Sequence, residues 1–378
     1  MSRRVLFHVQ HLLGIGHLRR TASLAKACAE HGLEVTLASG GAAIDHLDTG
    51  NAALVQLPSL RAADAGFTRL LDDRGNEIDD EWRAARRASC LDLFARVRPH
   101  VLVTETFPFG RRQLAFELLP LLAAAGAAGT VTVSSVRDVL TTRKAARTRE
   151  AAAWADSHFD HVMIHGDPDF IAFHESYPAA TDIAGKLEYT GYVGSGSAAV
   201  AGELGRGEII VSAGGGAVGE DLLRTALKAQ MRVGNRRWRL LVGGNLPEAA
   251  FAALAVHGHD NLLVERARPD FAALLENCAL SVSQAGYNTV VDLLRAGTRA
   301  LLVPFAGAGE TEQALRAKRL EARGLARCLA EGNLTQTRLA EAVMDALDGP
   351  PPPPHGIALD GARRGAELIA GWADDRLA

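Results

Sequence analysis

The feature that most constrains the fold of this chain is an alternation of apolar strands and helices across residues 278–327. Two short apolar runs there are typical of buried strands, and each is followed by a segment whose apolar residues recur at helical spacing. Strand, helix, strand and helix in this order predict a βαβα unit, in which neighbouring strands are parallel. The predicted elements are a strand at 279–282, a tight turn at 284–286, a helix at 288–296, a strand at 299–304 and a helix at 310–323.

The turn at Gly286 has the chemistry of a phosphate site. Glycine lets a ligand approach the backbone, and the helix behind it offers free N–H groups and the positive end of its dipole. One turn into that helix, Asp292 places a carboxylate where sugar hydroxyls can donate to it, as acidic residues hold ribose in dinucleotide folds. A solvated helix carboxylate is the alternative interpretation of Asp292.

Similar strand–glycine–helix units occur earlier in both halves of the chain. A strand at 4–10 leads into Gly14-Ile15-Gly16-His17 and a helix at 18–31, although this run lacks the full GxGxxG pattern. A strand at 208–211 leads into three consecutive glycines and a helix at 221–230, which predicts an anion cradle of backbone amides. The cradle residues are Gly214, Gly215, Gly216 and Ala217. A helix-capping histidine in the first unit and a flexible turn in the second are the alternatives.

Length, charge and cysteine placement limit the class of protein. A chain of 378 residues favours two domains, and its net charge of −3 gives no electrostatic support for nucleic-acid binding. The four cysteines form no CxxC pair, which is typical of a reduced cytoplasmic protein without structural zinc. No signal peptide is recognised at the start, and no run approaches the roughly 20 apolar residues of a transmembrane helix. A cytoplasmic location is therefore expected.

Two carboxylates are predicted at the carboxyl edge of the first sheet, where open α/β sheets bind ligands. A buried strand at 99–105 ends in Glu105, and a strand at 131–133 shortly precedes Asp138. His161 and His165 share a strand face, but no further ligand or carboxylate completes a set, so no metal site is predicted.

The segment FPFGRR at 107–112 places two phenylalanines and two arginines before an apolar helix at 113–125. This pattern is compatible with peripheral contact with a membrane surface or an anionic lipid carrier. A buried connecting helix with two solvated arginines is the alternative, and it is the favoured interpretation.

Together these motifs resemble glycosyltransferase family 28, whose MurG-type members are N-acetylglucosaminyltransferases. The matching features are the GxGHxxR run with Gly14, Gly16, His17 and Arg20, the three-glycine loop, Gly286, Thr289, Asp292, Ala296-Gly297, the VPF at 303–305, Gln313 and Ala317. The resemblance implies the α/β architecture called GT-B, with two Rossmann-like domains facing across a cleft. It implies an acceptor-side domain at 1–193, a linker near 194–197, a donor-binding domain at 206–349, and a C-terminal helix at 359–378 packing back on the first domain.

The resemblance also implies roles for individual residues. Asp292 would hold the nucleotide ribose, Gln313 the donor sugar, and the glycine loop the diphosphate, without a metal ion or other cofactor. Arg266 and its neighbours become candidate uracil contacts. The other predicted donor-site residues are Gln284, Gly286, Asn288, Thr289 and Glu312. Glu312 departs from the family, which often has two adjacent glutamines here, and this departure leaves the donor sugar open.

The implied function is transfer of a hexosyl group, with inversion, from a UDP-sugar to an unidentified acceptor. His17 is the first candidate for the base, followed by Asp138 and Glu105, because histidine titrates near neutral pH. The same opening run also resembles the UDP-sugar hydrolase of pseudaminic acid synthesis, in which water replaces the acceptor. A catalytically inactive nucleotide-sugar sensor is a third hypothesis.

Overall fold

The computed structural model divides the chain into two compact units, residues 1–195 with 357–378 and residues 196–356. It describes residues 2–12, 14–63, 69–142, 144–194, 202–214, 219–234, 236–307 and 310–377. The predicted linker residues Ser195, Gly196 and Ser197 and the predicted cradle residues Gly215, Gly216 and Ala217 lie outside these ranges.

Unit 1 is built on a seven-stranded parallel sheet with the order β3-β2-β1-β6-β7-β8-β9 and a small antiparallel pair, β4 and β5. The order reverses at β1, which pairs with both β2 and β6. Its strands are β1 (Arg4–Val9), β2 (Glu34–Ser39), β3 (Ala53–Gln56), β4 (Arg61–Ala62), β5 (Leu70–Leu71), β6 (Val101–Glu105), β7 (Val131–Arg137), β8 (His161–His165) and β9 (Leu187–Tyr189). Its first four helices are α1 (Gly16–Glu30), α2 (Asp80–Val97), α3 (Ala115–Ala127) and α4 (Ala145–His158).

Unit 2 has a six-stranded parallel sheet with the order β12-β11-β10-β13-β14-β15. Here the order reverses at β10, between β11 and β13. Its strands are β10 (Ile209–Ser212), β11 (Trp238–Val242), β12 (Leu262–Arg266), β13 (Leu280–Ser283), β14 (Ala300–Leu302) and β15 (Arg327–Cys328). Its helices are α5 (Glu220–Ala229), α6 (Glu248–Ala255), α7 (Phe271–Asn277), α8 (Tyr287–Ala296), α9 (Glu312–Ala322) and α10 (Gln336–Asp348).

The last helix, α11 (Gly361–Leu377), packs against α1 of unit 1. Gly365 permits this close packing, because a Cβ there would lie 2.7 Å from a side-chain carbon of Leu24. Ile369 and Ala370 are buried in the same layer as Phe7 of β1. The chain therefore returns to unit 1 after completing unit 2.

Each sheet buries side chains on both faces, as parallel sheets do. In β1, Val5, Phe7 and Val9 pack with α1 and α11, while Leu6 packs with α2 and α3 on the other face. Alternate residues of one apolar run thus enter two different cores. This two-sided burial leaves the strand ends as the natural place for polar groups.

One predicted strand is longer in the structure: β7 continues to Arg137 instead of ending at Val133. Two serines extend the strand because their hydroxyls are satisfied inside the protein: Ser134 donates to the Phe107 carbonyl and Ser135 contacts Glu105, each at 2.7 Å. Helices α6 and α10 were not among the predicted elements. Within the described ranges, no helix combines the length and apolar character needed to cross a membrane.

Candidate functional site

The reversal of strand order in unit 1 brings His17 and Glu105 together. His17 lies in the first turn of α1, directly after β1, and Glu105 is the last residue of the adjacent β6. Open α/β sheets bind ligands at such a reversal, outside the carboxyl ends of the strands. The first and third candidates for the base are therefore neighbours in space.

Glu105 is held by several side chains at once. Its Oε1 lies 3.0 Å from His17 Nδ1 and 3.0 Å from Thr106 Oγ1, and it forms a buried ion pair with Arg20. The Glu105 side chain is 1% exposed, whereas that of His17 is 17% exposed. The histidine is thus the member of this group that reaches the surface.

Thr106 has a backbone conformation that threonine rarely adopts. Its φ is 67°, and a β-branched residue in this left-handed region is strained. Its hydroxyl donates to Glu105 Oε1 and lies 3.1 Å from His17 Nδ1. Strain at a residue that contacts both members of the pair is typical of a functional site.

The protonation states follow from the surroundings. Burial lowers the pKa of His17 to about 3, although the hydrogen bond to Glu105 opposes this, and Arg111 and Arg20 lower it further. Burial raises the pKa of Glu105, but Arg20 and His17 outweigh burial and hold that pKa well below its usual range. A neutral imidazole beside an ionised carboxylate donates its Nδ1 proton to Glu105. Nε2 is then unprotonated, so His17 can accept a proton there.

A buried row of polar side chains continues from Glu105 into the sheet. Ser135 Oγ lies 2.7 Å from Glu105 Oε2 and 2.9 Å from His165 Nε2, and His165 Nδ1 lies 2.9 Å from Thr190 Oγ1. Ser135, His165 and Thr190 are each at most 2% exposed. None of these three residues was predicted to have a role. For Ser135 and His165, the available signal was a polar residue inside an apolar strand, β7 or β8.

Asp138, the second candidate for the base, has a different set of partners. It follows β7 and is fully buried, and its carboxylate accepts from the Tyr192 hydroxyl and the Val139 amide at 2.8 Å each. Such contacts are those of a carboxylate that fixes neighbouring loops. Gly14, in the turn before α1, has open space at its Cα, since a Cβ there would meet no atom of the described part of the chain within 4 Å.

In unit 2 the reversal of strand order places Gly214 and the turn at 284–286 at the ends of adjacent strands. Gly214 has a φ of 69°, which favours glycine, and a Cβ there would meet no atom of the described residues within 4 Å. Gly286 has an ordinary φ of −64° and equally open space, so the backbone conformation does not require glycine there. Both positions leave room for a ligand to approach the backbone.

Gln313 connects two turns of this edge. Its carboxamide oxygen accepts from the Ala285 and Phe305 amides, both at 3.1 Å. Glu312 is 2% exposed and paired with the buried Arg316, which also donates to the Ala285 carbonyl. The glutamate that departs from the family pattern is therefore held inside the protein by an arginine four residues later.

The remaining predicted donor-site residues divide into two groups. Gln284 is buried after β13, while Asn288, Thr289 and Asp292 are half-buried on α8. Arg266 ends β12, two strands from β10, and its guanidinium donates to the Gly243 and Leu246 carbonyls and stacks 4.2 Å from the Phe251 ring centre. The first group lies at the strand-order reversal and Arg266 does not.

The FPFGRR segment lines a cavity of about 600 Å³ in unit 1. Phe107 and Phe109 are 0% and 6% exposed, so the two aromatic rings belong to the core and offer no membrane-facing surface. Arg111 lines the cavity and is close enough to His17 for its charge to lower the histidine's pKa. The cavity is lined by Pro108, Phe109, Gly110, Arg111, Arg112, Gln113, Leu140, Thr141, Arg147, Thr148, Ala151, Ser176 and Tyr177.

One group of three potential metal ligands occurs in the described part of the chain: His8, Cys90 and Glu117, all buried. Arg86 forms an ion pair with Glu117 at 2.8 Å, and both side chains are fully buried. A cation at this position would compete with the guanidinium for the carboxylate. The donor set therefore does not fit a metal site.

Residues 210–354 match the family described as "Glycosyltransferase family 28 C-terminal domain". A segment of 110 residues is 34% identical to the UDP-N-acetylglucosamine--N-acetylmuramyl-(pentapeptide) pyrophosphoryl-undecaprenol N-acetylglucosamine transferase of Synechocystis sp., and covers 29% of this chain and 30% of that protein. The enzyme of the same name from Hahella chejuensis is 36% identical over 81 residues, which are 21% of this chain and 22% of that one. The matched segments thus span less than a third of either relative.

Solved structures extend the similarity to the whole fold. Acinetobacter baumannii MurG has a TM-score of 0.59 at 17% identity, covering 98% of this chain and 100% of that one. The glycotransferase of kitacinnamycin has a TM-score of 0.64 at 16% identity, covering 100% and 98%. The glycosyltransferase VinC, solved in complex with dTDP, has a TM-score of 0.63 at 17% identity, covering 98% and 95%. At these identities the similarity concerns the fold, which is that of GT-B glycosyltransferases.

Proposed function

We propose that this chain, whose residues 210–354 match the C-terminal domain of glycosyltransferase family 28, transfers a hexosyl group from a UDP-sugar to an acceptor hydroxyl. The observation that carries this proposal is the His17–Glu105 pair at the strand-order reversal of unit 1. A neutral, partly exposed imidazole oriented by a buried carboxylate is suited to removing a proton from a hydroxyl. We place the enzyme in the cytoplasm.

In the proposed reaction His17 Nε2 accepts the proton of the acceptor hydroxyl as its oxygen attacks the anomeric carbon. The bond to the diphosphate breaks, and attack opposite the leaving group inverts the anomeric configuration. Glu105 keeps the proton of His17 on Nδ1 and stabilises the imidazolium that forms, 3.0 Å away. The strained Thr106 and the ion pair with Arg20 fix the carboxylate in this position.

Unit 2 would bind the donor. Gly286 and Gly214 follow the two strands that meet at the strand-order reversal, and the described residues leave space beside each of them. Gly286 lies at the start of α8. Amides at helix N-termini stabilise phosphate charge. Asp292 would accept from the ribose hydroxyls. Gln313 would act by holding the turns around Ala285 and Phe305 in place, since its carboxamide oxygen is bonded to both amides.

The acceptor would bind in the cavity of about 600 Å³ beside the FPFGRR segment. Phe109, Leu140 and Tyr177 supply apolar walls, and Arg111 links the cavity to His17. Three arginines and no acidic residue occur among its described lining residues. Arg112 is paired with Glu150 at 2.8 Å, so the argument for an acceptor with a negative charge rests on Arg111 and Arg147. An Arg147→Ala variant that uses charged and uncharged acceptors as the wild type does would contradict this assignment.

The function is tested by incubating the protein with a panel of nucleotide sugars and following each by mass spectrometry. We expect one UDP-sugar to be consumed slowly in buffer and faster when an acceptor-containing cell extract is added. Rapid release of free sugar in buffer alone would identify a hydrolase instead. Binding of a UDP-sugar without any consumption in either condition would identify a sensor.

Replacing Asp292 by alanine is expected to weaken UDP binding by about 1–3 kcal/mol, the scale of hydrogen bonds to a charged group. Calorimetry with UDP measures this directly. The matched control is Asp345→Ala, which removes an exposed carboxylate from α10 of the same unit. Equal UDP affinity in the Asp292 variant and the control would remove Asp292 from the proposed site.

Turnover is expected to survive chelation, because backbone amides and helix N-termini would carry the diphosphate charge in place of a metal ion. The measurement is donor consumption before and after treatment with EDTA. Two carboxylates, Glu220 and Asp221, lie in the first turn of α5 and would be the first candidates for ligands if a metal were required. Activity that disappears with EDTA and returns with magnesium or manganese would refute the metal-free proposal.

A further inference from the structure

The row formed by Glu105, Ser135, His165 and Thr190 contains more close contacts than protons to fill them. Four contacts follow one another: Glu105 Oε2 to Ser135 Oγ, Ser135 Oγ to His165 Nε2, His165 Nδ1 to Thr190 Oγ1, and Thr190 Oγ1 to the Gly191 carbonyl. Their lengths run from 2.7 to 2.9 Å, so each has the geometry of a hydrogen bond. Each bond needs one proton.

The protons can be counted from the chemistry of the groups. An ionised carboxylate and a backbone carbonyl only accept, each hydroxyl supplies one proton, and a neutral imidazole supplies one. Burial lowers the pKa of His165 to about 3, with Arg20 lowering and Glu105 raising it, so the imidazole is neutral near pH 7. Ser135, His165 and Thr190 together therefore supply three protons for four contacts.

The Thr190 end of the row determines which contact has no proton. The Thr190 hydroxyl lies 2.7 Å from the Gly191 carbonyl and 3.3 Å from that of Ile164, and it donates to these acceptors. Thr190 can then only accept from His165, which places the imidazole proton on Nδ1 and leaves Nε2 as an acceptor. Ser135 consequently faces two acceptors, Glu105 Oε2 and His165 Nε2, with a single proton.

We propose that His165 is a positioning residue: it competes with Glu105 for the hydroxyl proton of Ser135 and thereby strengthens the hold of Glu105 on His17 Nδ1–H. When one hydrogen bond to a carboxylate becomes weaker, the carboxylate becomes a stronger acceptor for its other donors. The donor affected by this change is His17, whose Nδ1 lies 3.0 Å from Glu105 Oε1. The effect on turnover rests on the proposed role of His17 as the base, whereas the competition itself does not.

Among the described residues, two charged groups act on His165: Arg20 of α1 and the Glu105 carboxylate of β6, which lies behind Ser135. From α11, the uncharged Gly365 packs against Thr190. His165 itself is fully buried. Ser135 is the side chain that contacts both His165 and Glu105, and it is the connection through which we expect His165 to act.

Two substitutions should change the His17–Glu105 hydrogen bond in opposite directions. His165→Phe removes the competing acceptor, so Ser135 donates fully to Glu105 and the hydrogen bond from His17 Nδ1 weakens. Ser135→Ala removes the donor, so the same hydrogen bond strengthens. A stronger bond moves the Nδ1–H proton resonance downfield, and a weaker one moves it upfield.

The experiment is proton and ¹⁵N NMR of histidine-labelled full-length protein at neutral pH, without substrate. We expect His165 to be neutral with its proton on Nδ1, and His17 Nδ1–H to move upfield in His165→Phe and downfield in Ser135→Ala. Thr190→Val, which changes the side-chain volume little, tests the same competition in a second way. Without the Thr190 hydroxyl, His165 can carry its proton on Nε2 and donate it to Ser135, which should also move the His17 Nδ1–H resonance upfield. His161→Phe, a histidine substitution at the start of the same strand and outside the row, should leave the resonance in place.

A proton on His165 Nε2 in the wild type, shifts of the same sign in the Ser135 and His165 variants, or no shift in either, would overturn the inference. On the proposed function, His165→Phe and Thr190→Val should also lower kcat by about 2- to 12-fold, the worth of one hydrogen bond, with the donor KM unchanged. Since the NMR measurement needs no substrate, a wild-type protein without any transferase activity would refute the proposed function and not this inference.

Discussion

Replacing His17 by alanine is expected to lower kcat by about 10²–10⁴-fold, the usual contribution of general base catalysis. The imidazole donates its Nδ1 proton to Glu105 in a hydrogen bond, which leaves Nε2 free of a proton. Alanine has no group that could take the proton from the attacking hydroxyl. UDP affinity should be nearly unchanged, because the proposed nucleotide site lies in unit 2. The measurement is donor consumption under saturating conditions together with calorimetry of UDP binding.

The matched control for this prediction is His161→Ala. His161 is a half-buried histidine of the same unit that stacks on Trp372, 4.1 Å between ring centres, and lies outside the proposed site. Its loss should leave kcat unchanged. A His17 variant as active as this control would show that the proton leaves by another route. Loss of UDP binding together with activity would instead place His17 at the donor.

The family and the GT-B fold were predictable because they depend on local patterns. Strand, glycine turn and helix recur in order, and the run around Gly286, Asp292 and Gln313 carries the family resemblance in a few adjacent residues. The apolar strands could be placed because parallel sheets bury both faces, so their strands are continuous apolar runs. The individual site assignments stay predictions.

What the sequence could not supply is the set of contacts between distant strands. Glu105 and Asp138 looked equivalent as carboxylates after buried strands, and only the fold places the first beside His17 and the second against Tyr192. His165 gave no indication of its connection to Glu105, because Ser135 joins them across 30 residues on either side. Such hydrogen bonds depend on sheet register, which a single sequence does not reveal.

The helix α10 could have been predicted from a pattern that was present. Leu339, Ala340, Val343 and Ala346 recur at helical spacing, and Thr335 accepts from the Arg338 amide as an N-cap. The two-residue strand β15 offered no such signal, because it is too short for a period to appear. Element length therefore set the limit on what periodicity could identify.

Substituting Glu105 by glutamine is expected to destabilise the protein by about 3–5 kcal/mol, because the buried Arg20 keeps its charge and loses its counter-ion. Arg20 is 4% exposed, so water cannot replace the carboxylate. Arg20 and His17 hold the pKa of Glu105 below its usual value of 4.5 despite burial. The ionised carboxylate therefore stabilises the fold fully above pH 4.5, and this contribution falls as the pH falls below that value.

Two contributions to stability can be separated: the cost of leaving the Arg20 charge unpaired and the effect of ionising Glu105. The measurement is chemical denaturation of the wild type, Glu105→Gln and the double variant Arg20→Met/Glu105→Met across pH 3–7. Glu105→Gln should lose stability at pH 7, and its pH dependence below pH 4.5 should be shallower by about 1.4 kcal/mol per pH unit, the value for one proton. The double variant removes both charges and should recover much of the lost stability, since apolar replacements of buried ion pairs are often near neutral. It should nevertheless remain inactive, because His17 has lost the group that fixes its tautomer. A Glu105→Gln variant as stable as the wild type at pH 7 would mean that Arg20 does not depend on this carboxylate, and the orientation proposed for His17 would lose its support.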